Sequence, residues 1–111
     1  MKRIEAYIQP GKLDNVQNAL FSAGVQGLSV TTVRGYGRQV ESAAGPTSTS
    51  PNLLPKLKIE VIVDDAKLDI AINAIIDAAK TGAIGDGKIF ISDVDKAIRV
   101  RTGETGNTAL D

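Results

Sequence analysis

Apolar and polar residues alternate over positions 4–9, with Ile4, Ala6 and Ile8 on one side and Glu5, Tyr7 and Gln9 on the other. That period predicts a strand. Pro10-Gly11 breaks it. From Lys12 onward the apolar residues Leu13, Val16, Ala19, Leu20 and Ala23 fall at helical spacing. Gly24 ends that helix, Gly27 turns the chain, and the β-branched run over 28–36 predicts a second strand. The pattern then begins again. Residues 56–63 alternate sharply, with Leu57, Ile59, Val61 and Val63 opposite Lys56, Lys58, Glu60 and Ile62. Asp64-Asp65 opens a helix that runs to about Lys80. Its apolar residues cover more than one stripe, so it is expected to be the more buried helix. Residues 81–87 are a glycine-rich loop, 88–94 a fourth strand and 97–101 a short fifth one, followed by a polar tail expected to move.

The restart is an internal repeat. A shift of 55 places Ile4 on Ile59, Glu5 on Glu60, Lys12 on Lys67, Leu13 on Leu68, Asp14 on Asp69, Asn18 on Asn73, Ala19 on Ala74 and Gly27 on Gly82. A repeat of this length indicates a duplicated supersecondary unit, here β-α-β. Two copies give an α+β fold, the ferredoxin-like β-α-β-β-α-β sandwich, with an antiparallel four-stranded sheet and both helices on one face. The other face is expected to carry Glu5, Tyr7, Thr32, Lys58, Glu60 and Ile62. Between the units, residues 37–54 are rich in Ser, Thr, Ala, Gly and Pro and have no hydrophobic period. They read as a mobile loop within one domain spanning 1–111.

Composition narrows the chemistry. Thirteen basic and thirteen acidic side chains give a formal net charge of zero. The chain as a whole therefore has no pull on nucleic acid or anionic lipid, and an anion site must be local. It has no cysteine and no histidine, which excludes disulfides, thiolate metal sites, Cys nucleophiles and His acid–base catalysis. No apolar run approaches the roughly 18 residues of a membrane span, and Met1-Lys2-Arg3 runs straight into a strand rather than a signal-peptide core. A cytoplasmic protein is the expectation.

The stretch over 81–101, T-G-A-I-G-D-G-K-I-F-I-S-D-V-D-K-A-I-R-V-R, concentrates what remains. Gly82, Gly85 and Gly87 allow close approach of backbone amides to a ligand. Lys88, Arg99 and Arg101 bring three cations within fourteen residues. Amides and converging cations suit a polyphosphate. Gly82-x-x-x-x-Gly87-Lys88 is not a P-loop: Ile89 stands where Ser or Thr would hold magnesium, and the loop lies before a strand rather than before a helix.

Four segments, V-R-G-Y-G-R-Q (33–39), L-P-K-L-K-I-E (54–60), T-G-A-I-G-D-G-K-I-F (81–90) and I-R-V-R-T-G-E (98–104), resemble the P-II nitrogen-regulatory signal-transduction proteins. So does the opening I-E-A-Y-I-Q-P-G-K-L-D. The resemblance covers nearly the whole chain except 40–53. It implies a homotrimer with three intersubunit clefts in which ATP and ADP compete. In that reading Gly35, Tyr36, Gly37, Arg38 and Gln39 form the base of the long T-loop, on the phosphate side. Gly85, Asp86, Gly87 and Lys88 form the B-loop around the phosphates. Arg99 and Arg101 reach across from the neighbour. Ser29 stands near the adenine in the place of the family's usual Thr, and Glu60 and Ile62 lie on the ribose and base side. Lys56 and Gln39 correspond to the positions that hold 2-oxoglutarate on a magnesium–ATP complex, with Gln39 toward the metal. Asp86 reads as a loop-fixing residue that bonds its own backbone rather than a metal ligand.

The loop also departs from the family. Val40 and Glu41 follow Gln39, no tyrosine lies between Gly37 and Lys56, and the loop is about two residues shorter than the usual one. Modification of a loop tyrosine is excluded, and Glu41 sets a negative charge near an anionic ligand. The function expected is a non-catalytic nucleotide sensor that acts on a membrane transporter or an enzyme through the loop. Three alternatives stand beside it. One is a slow ATP phosphatase, for which no positioned base is visible. Another is a P-II-like sensor of another metabolite unrelated to nitrogen. The third is a structural or metal-related trimer of the same fold.

Overall fold

The computed structural model describes residues 1–37 and 52–110. Strand β1 (Lys2–Ile8) leads through a 3-10 turn (Pro10–Lys12) into helix α1 (Leu13–Ser22), and β2 (Ser29–Gly35) follows. Strand β3 (Leu54–Val63), a second 3-10 turn (Asp65–Lys67), helix α2 (Leu68–Ala79) and β4 (Lys88–Asp93) repeat the series. The sheet order is β2-β3-β1-β4 with every pairing antiparallel. This is the ferredoxin-like α+β arrangement expected from the repeat.

The shift of 55 is kept down to the turns that open the helices. Pro10–Lys12 maps onto Asp65–Lys67, and the first helical residue Leu13 onto Leu68. Asp64 caps the second turn by accepting from the Ala66 amide at 3.1 Å. In the first unit Gln9 occupies the equivalent place and makes no side-chain cap. The register slips only after the helices: β2 begins at Ser29, but β4 begins at Lys88. The second unit has spent the extra residues on the glycine loop.

The core is the inner face of the sheet against both helices. Ile4, Ala6 and Ile8 of β1 and Ile59, Val61 and Val63 of β3 are buried with Val16 and Leu20 of α1 and Ala71, Ile75 and Ala79 of α2. As expected, α2 buries more positions than α1. Its apolar stripe is nevertheless wider than the sheet can cover, and Ile70 and Ile76 stay exposed.

Cross-strand register fixes what the outer face carries. Ser29, Glu60, Glu5 and Phe90 form one row across the four strands, and Thr31, Lys58, Tyr7 and Lys88 the next. Tyr7 and Phe90 meet edge to face, with ring centres 5.9 Å apart and planes at 86°. Thr32 was expected on this face and is not: it pairs with Leu57, whose side chain packs on the core. A run of Val-Thr-Thr-Val has similar residues on both sides, so its parity is set by β3 and not by its own pattern.

The expected strand over 97–101 is also corrected. Ile98 makes one isolated bridge to Thr105, and the chain turns between them. The Gly103 amide donates to the Arg99 carbonyl at 2.8 Å, and Gly103 has φ +75°. Arg99 and Arg101 therefore flank and enter a tight turn rather than sharing one strand face. The tail beyond it is tied down, not loose. Residues Gly106–Leu110 form a 3-10 turn, and the Arg99 guanidinium donates to the Thr108 carbonyl at 3.0 Å.

Candidate functional site

The glycine loop is built by one carboxylate. Asp86 accepts from the Thr81 hydroxyl at 2.6 Å, from the Thr81 amide at 2.7 Å and from the Gly82 amide at 2.9 Å. Thr81 Oγ1 in turn accepts from the Ala83 amide at 3.2 Å. This places Asp86 in the loop-fixing role expected from the sequence. Gly82, Gly85 and Gly87 all lie at positive φ, which side chains other than glycine rarely take.

These bonds hold the Asp86 carboxyl below the usual carboxylate range, the Thr81 hydroxyl first and the two amides after it. An ionised group stabilised by folding contributes at any pH above its ordinary value, and that contribution is lost as pH falls through the depressed value. The amide resonances of Thr81 and Gly82 are therefore expected to hold steady from neutral pH through the ordinary carboxylate range and to move only below it. In Asp86→Asn that titration should vanish. A variant that titrated like the parent would remove Asp86 from this role.

A second set of contacts grips the loop from the sheet. Gln9 Nε2 donates to the Gly85 carbonyl at 2.7 Å, and Lys56 Nζ donates to the same oxygen at 2.9 Å. Burial pulls the Lys56 ammonium below its ordinary value, with the nearby Asp86 charge opposing. Lys12 also lies close enough to act on Asp86. Lys88 leaves the loop exposed at the start of β4, opposite Tyr7. Gly35, the last residue of β2, pairs with Leu54, so Tyr36 and Gly37 leave the sheet at this same end. Arg38 and Gln39, expected here as well, lie outside the described residues, as does nearly all of the expected loop over 37–54.

The remaining expected residues gather at the opposite end. Ser29, Glu60 and Ile62 line an open cavity of about 510 Å3 together with Gly27 and the tail residues Asn107 and Leu110. Ser29 stands directly across from Glu60 in the β2–β3 ladder, and Arg3 approaches Glu60 at 3.7 Å. Arg99 binds this same tail through Thr108 and pairs with Glu104 at 3.7 Å, and Arg101 is exposed in the adjoining turn. Lys56 and Ile62 are six residues apart on β3, a run of roughly 20 Å at strand spacing. Within one chain, Lys56 with the glycine loop and Ile62 with its cavity thus lie toward the two ends of one strand, and Lys88 stands one cross-strand row from Glu60.

Sequence reasoning missed Gln9 and Lys12. A signal for Lys12 was present in the repeat, which sets it on Lys67. Lys67 Nζ donates to the Gly24 carbonyl, in the turn that ends α1, at 3.0 Å. Lys12 stands in the corresponding relation to the loop after α2. For Gln9 the sequence offered only a polar residue at the end of a strand.

A family model described as Nitrogen regulatory protein P-II matches residues 1–104. A protein named Nitrogen regulatory protein P-II from Cereibacter sphaeroides is 55% identical over 99% of this chain and 100% of its own length. One of the same name from Rhodobacter capsulatus is 53% identical over the same shares. Nitrogen regulatory protein P-II 2 from Methanothermobacter thermautotrophicus is 51% identical over 99% of this chain and 97% of its own length.

Proposed function

The chain belongs to the P-II family of nitrogen regulatory proteins, which are signal-transduction regulators, and from that premise we propose that it is a non-catalytic sensor of adenine nucleotides. ATP and ADP compete for a cleft between neighbouring copies of a homotrimer. The occupant sets the loop over 37–54, which docks on a membrane transporter or an enzyme. Among the described residues no helix is long and apolar enough to cross a membrane, so a membrane target would be reached by docking.

One observation carries the proposal. Of the residues expected at the phosphates, Gly85 is held at the Lys56 end of β3, where β2 also ends at Gly35, while those expected at the adenine and ribose (Ser29, Glu60 and Ile62) line a cavity toward its other end, with Lys88 one cross-strand row from Glu60. Arg99 reaches the second group through the Thr108 carbonyl, and the exposed Arg101 follows two residues later in the turn. The glycine loop at the Lys56 end of β3 and Ile62 toward its other end favour a site shared between copies. A cleft in which the glycine loop of one copy faces the Glu60–Ile62 end of the next brings them to one nucleotide.

The residues fit such a ligand. Lys88 and the neighbour's Arg101 are exposed cations able to make charge-assisted bonds to phosphate oxygens. Ser29 and Glu60 supply a hydroxyl and a carboxylate for base and ribose, and Ile62 an apolar surface. Magnesium enters with ATP, with Gln39 as its expected protein contact. Lys56 suits a dicarboxylate such as 2-oxoglutarate, because a partly buried ammonium gains from an anionic partner.

Titration calorimetry with ATP, ADP and AMP, each with and without magnesium and 2-oxoglutarate, tests the proposal. Saturable binding of ATP and ADP is expected, and Lys88→Ala should weaken both at least tenfold. Absence of nucleotide heat in the parent protein would refute the sensor reading. Sustained turnover of ATP that Lys88→Ala abolishes would replace it with the phosphatase.

A further inference from the structure

We propose that Gln9 is a positioning residue of the glycine loop: by holding the Gly85 carbonyl inward it turns the Asp86 amide outward, toward the anion. This deepens the nucleotide reading and rests on it for the identity of that anion.

A trans peptide unit is planar, and its C=O and N–H point in opposite directions. The bond between Gly85 and Asp86 is trans. Its oxygen points down into the sheet, where two donors meet it, Gln9 Nε2 at 2.7 Å and Lys56 Nζ at 2.9 Å. A carbonyl oxygen has two lone pairs, so this acceptor is saturated. The N–H of the same unit belongs to Asp86 and must face the other way. No acceptor among the described residues takes it; the trans geometry turns it from the two donors, and the exposed Lys88 follows two residues later in the chain. An outward amide next to a lysine is a donor pair for an anionic oxygen.

The orientation needs an outside cause. Gly85 lies at φ +103° and carries no side chain, so its own backbone permits either direction of the peptide. The carboxylate that organises the rest of the loop binds Thr81 and Gly82 and leaves this unit alone. What selects one direction is the donor pair beneath it. Gln9 is the neutral member, fixed at the end of β1 just before Pro10. Lys56 is the charged member, and a bound dicarboxylate would compete for its ammonium. Gln9 then holds the peptide while Lys56 turns to the ligand.

The test compares Gln9→Leu, which keeps the bulk and removes the donor, with Gln9→Lys, which restores a donor. In the nucleotide-free protein, the Asp86 amide resonance should shift in Gln9→Leu and return toward the parent position in Gln9→Lys. Amide exchange over 83–87 should rise several-fold in Gln9→Leu alone. ATP and inorganic tripolyphosphate should each bind roughly three- to tenfold more weakly to Gln9→Leu, and adenosine equally well. A loss of packing alone would not be repaired by lysine.

Parent-like resonances and exchange in Gln9→Leu would overturn the proposal, as would a shift that Gln9→Lys fails to reverse. Failure of the nucleotide reading looks different, because the parent protein would then give no heat with ATP or tripolyphosphate. The resonance and exchange data, collected without ligand, would still decide whether Gln9 sets the peptide.

Discussion

Replacing Gly87 with alanine is expected to dislodge the glycine loop from the sheet and to abolish nucleotide binding. A Cβ at this position would lie 1.7 Å from the Tyr7 carbonyl oxygen and 2.8 Å from its carbon. Both are backbone atoms of the central strand β1, so neither can swing aside. Gly87 also lies at φ +110°, where side chains are strained whatever the space around them. Backbone strain of this kind costs on the order of 1–3 kcal/mol by itself. The collision adds a displacement of β4 from β1, so the total loss should exceed about 3 kcal/mol. Gly82→Ala is the control. Gly82 has a similar left-handed backbone at φ +88°, but an added Cβ meets nothing within 4 Å. That variant should lose only about 1–2 kcal/mol. Chemical denaturation of the two variants separates the effects. Equal midpoints would mean that the approach of Gly87 to Tyr7 does not govern the fold.

The contrast shows which features of this molecule a sequence can announce. The glycine run was visible and was read as a close approach of backbone amides to a ligand; the positive φ of Gly82, Gly85 and Gly87 came only with the fold. That Gly87, unlike Gly82, abuts a distant backbone was not visible, because it depends on the pairing of Tyr7 with Lys88. The helices and four strands were legible because their apolar residues repeat at the right period and because the chain states the pattern twice. Residues 97–101 alternate equally well, but alternation records which sides are apolar and not whether a neighbouring strand exists. Here Ile98 finds only Thr105 across a tight turn. Gln9 escaped notice for the same kind of reason: its partner Gly85 is 76 residues away. Asp86 was legible since its partners lie within five residues and Asp commonly bonds nearby backbone.

The grouping of the expected site residues was the least legible feature. The resemblance sets Ser29, Lys56, Glu60 and Lys88 in a cleft that Arg101 reaches from the neighbour, without saying which of the others share a chain. The fold puts Lys56 beside Gly85 at one end of β3 and Ile62 toward the other, with Lys88 one cross-strand row from Ser29 and Glu60. If each cleft takes its phosphate loop from one copy and its arginine turn from the next, Lys88 and Arg101 at one site never belong to the same chain. That condition can be tested by mixing.

Lys88→Ala and Arg101→Ala are each expected to weaken ATP binding at least tenfold. A charge-assisted hydrogen bond is worth about 1.5–3 kcal/mol, and about 1.4 kcal/mol is a factor of ten. When the two variants are unfolded together, refolded in equal amounts and allowed to assemble in rings, a cleft whose loop comes from the Arg101→Ala chain and whose turn comes from the Lys88→Ala chain contains both native cations. Random assembly with cyclic symmetry makes roughly one cleft in four of this kind. Calorimetry on the mixture should therefore recover a minority class of sites with the parent affinity, although neither variant has any alone. A site contained within one chain could not be repaired, since every chain in the mixture lacks one of the two cations. Native mass spectrometry supplies the necessary check that mixed assemblies have formed. Mixed assemblies with no recovered sites would place Lys88 and Arg101 in the same half of the cleft and remove the intersubunit arrangement.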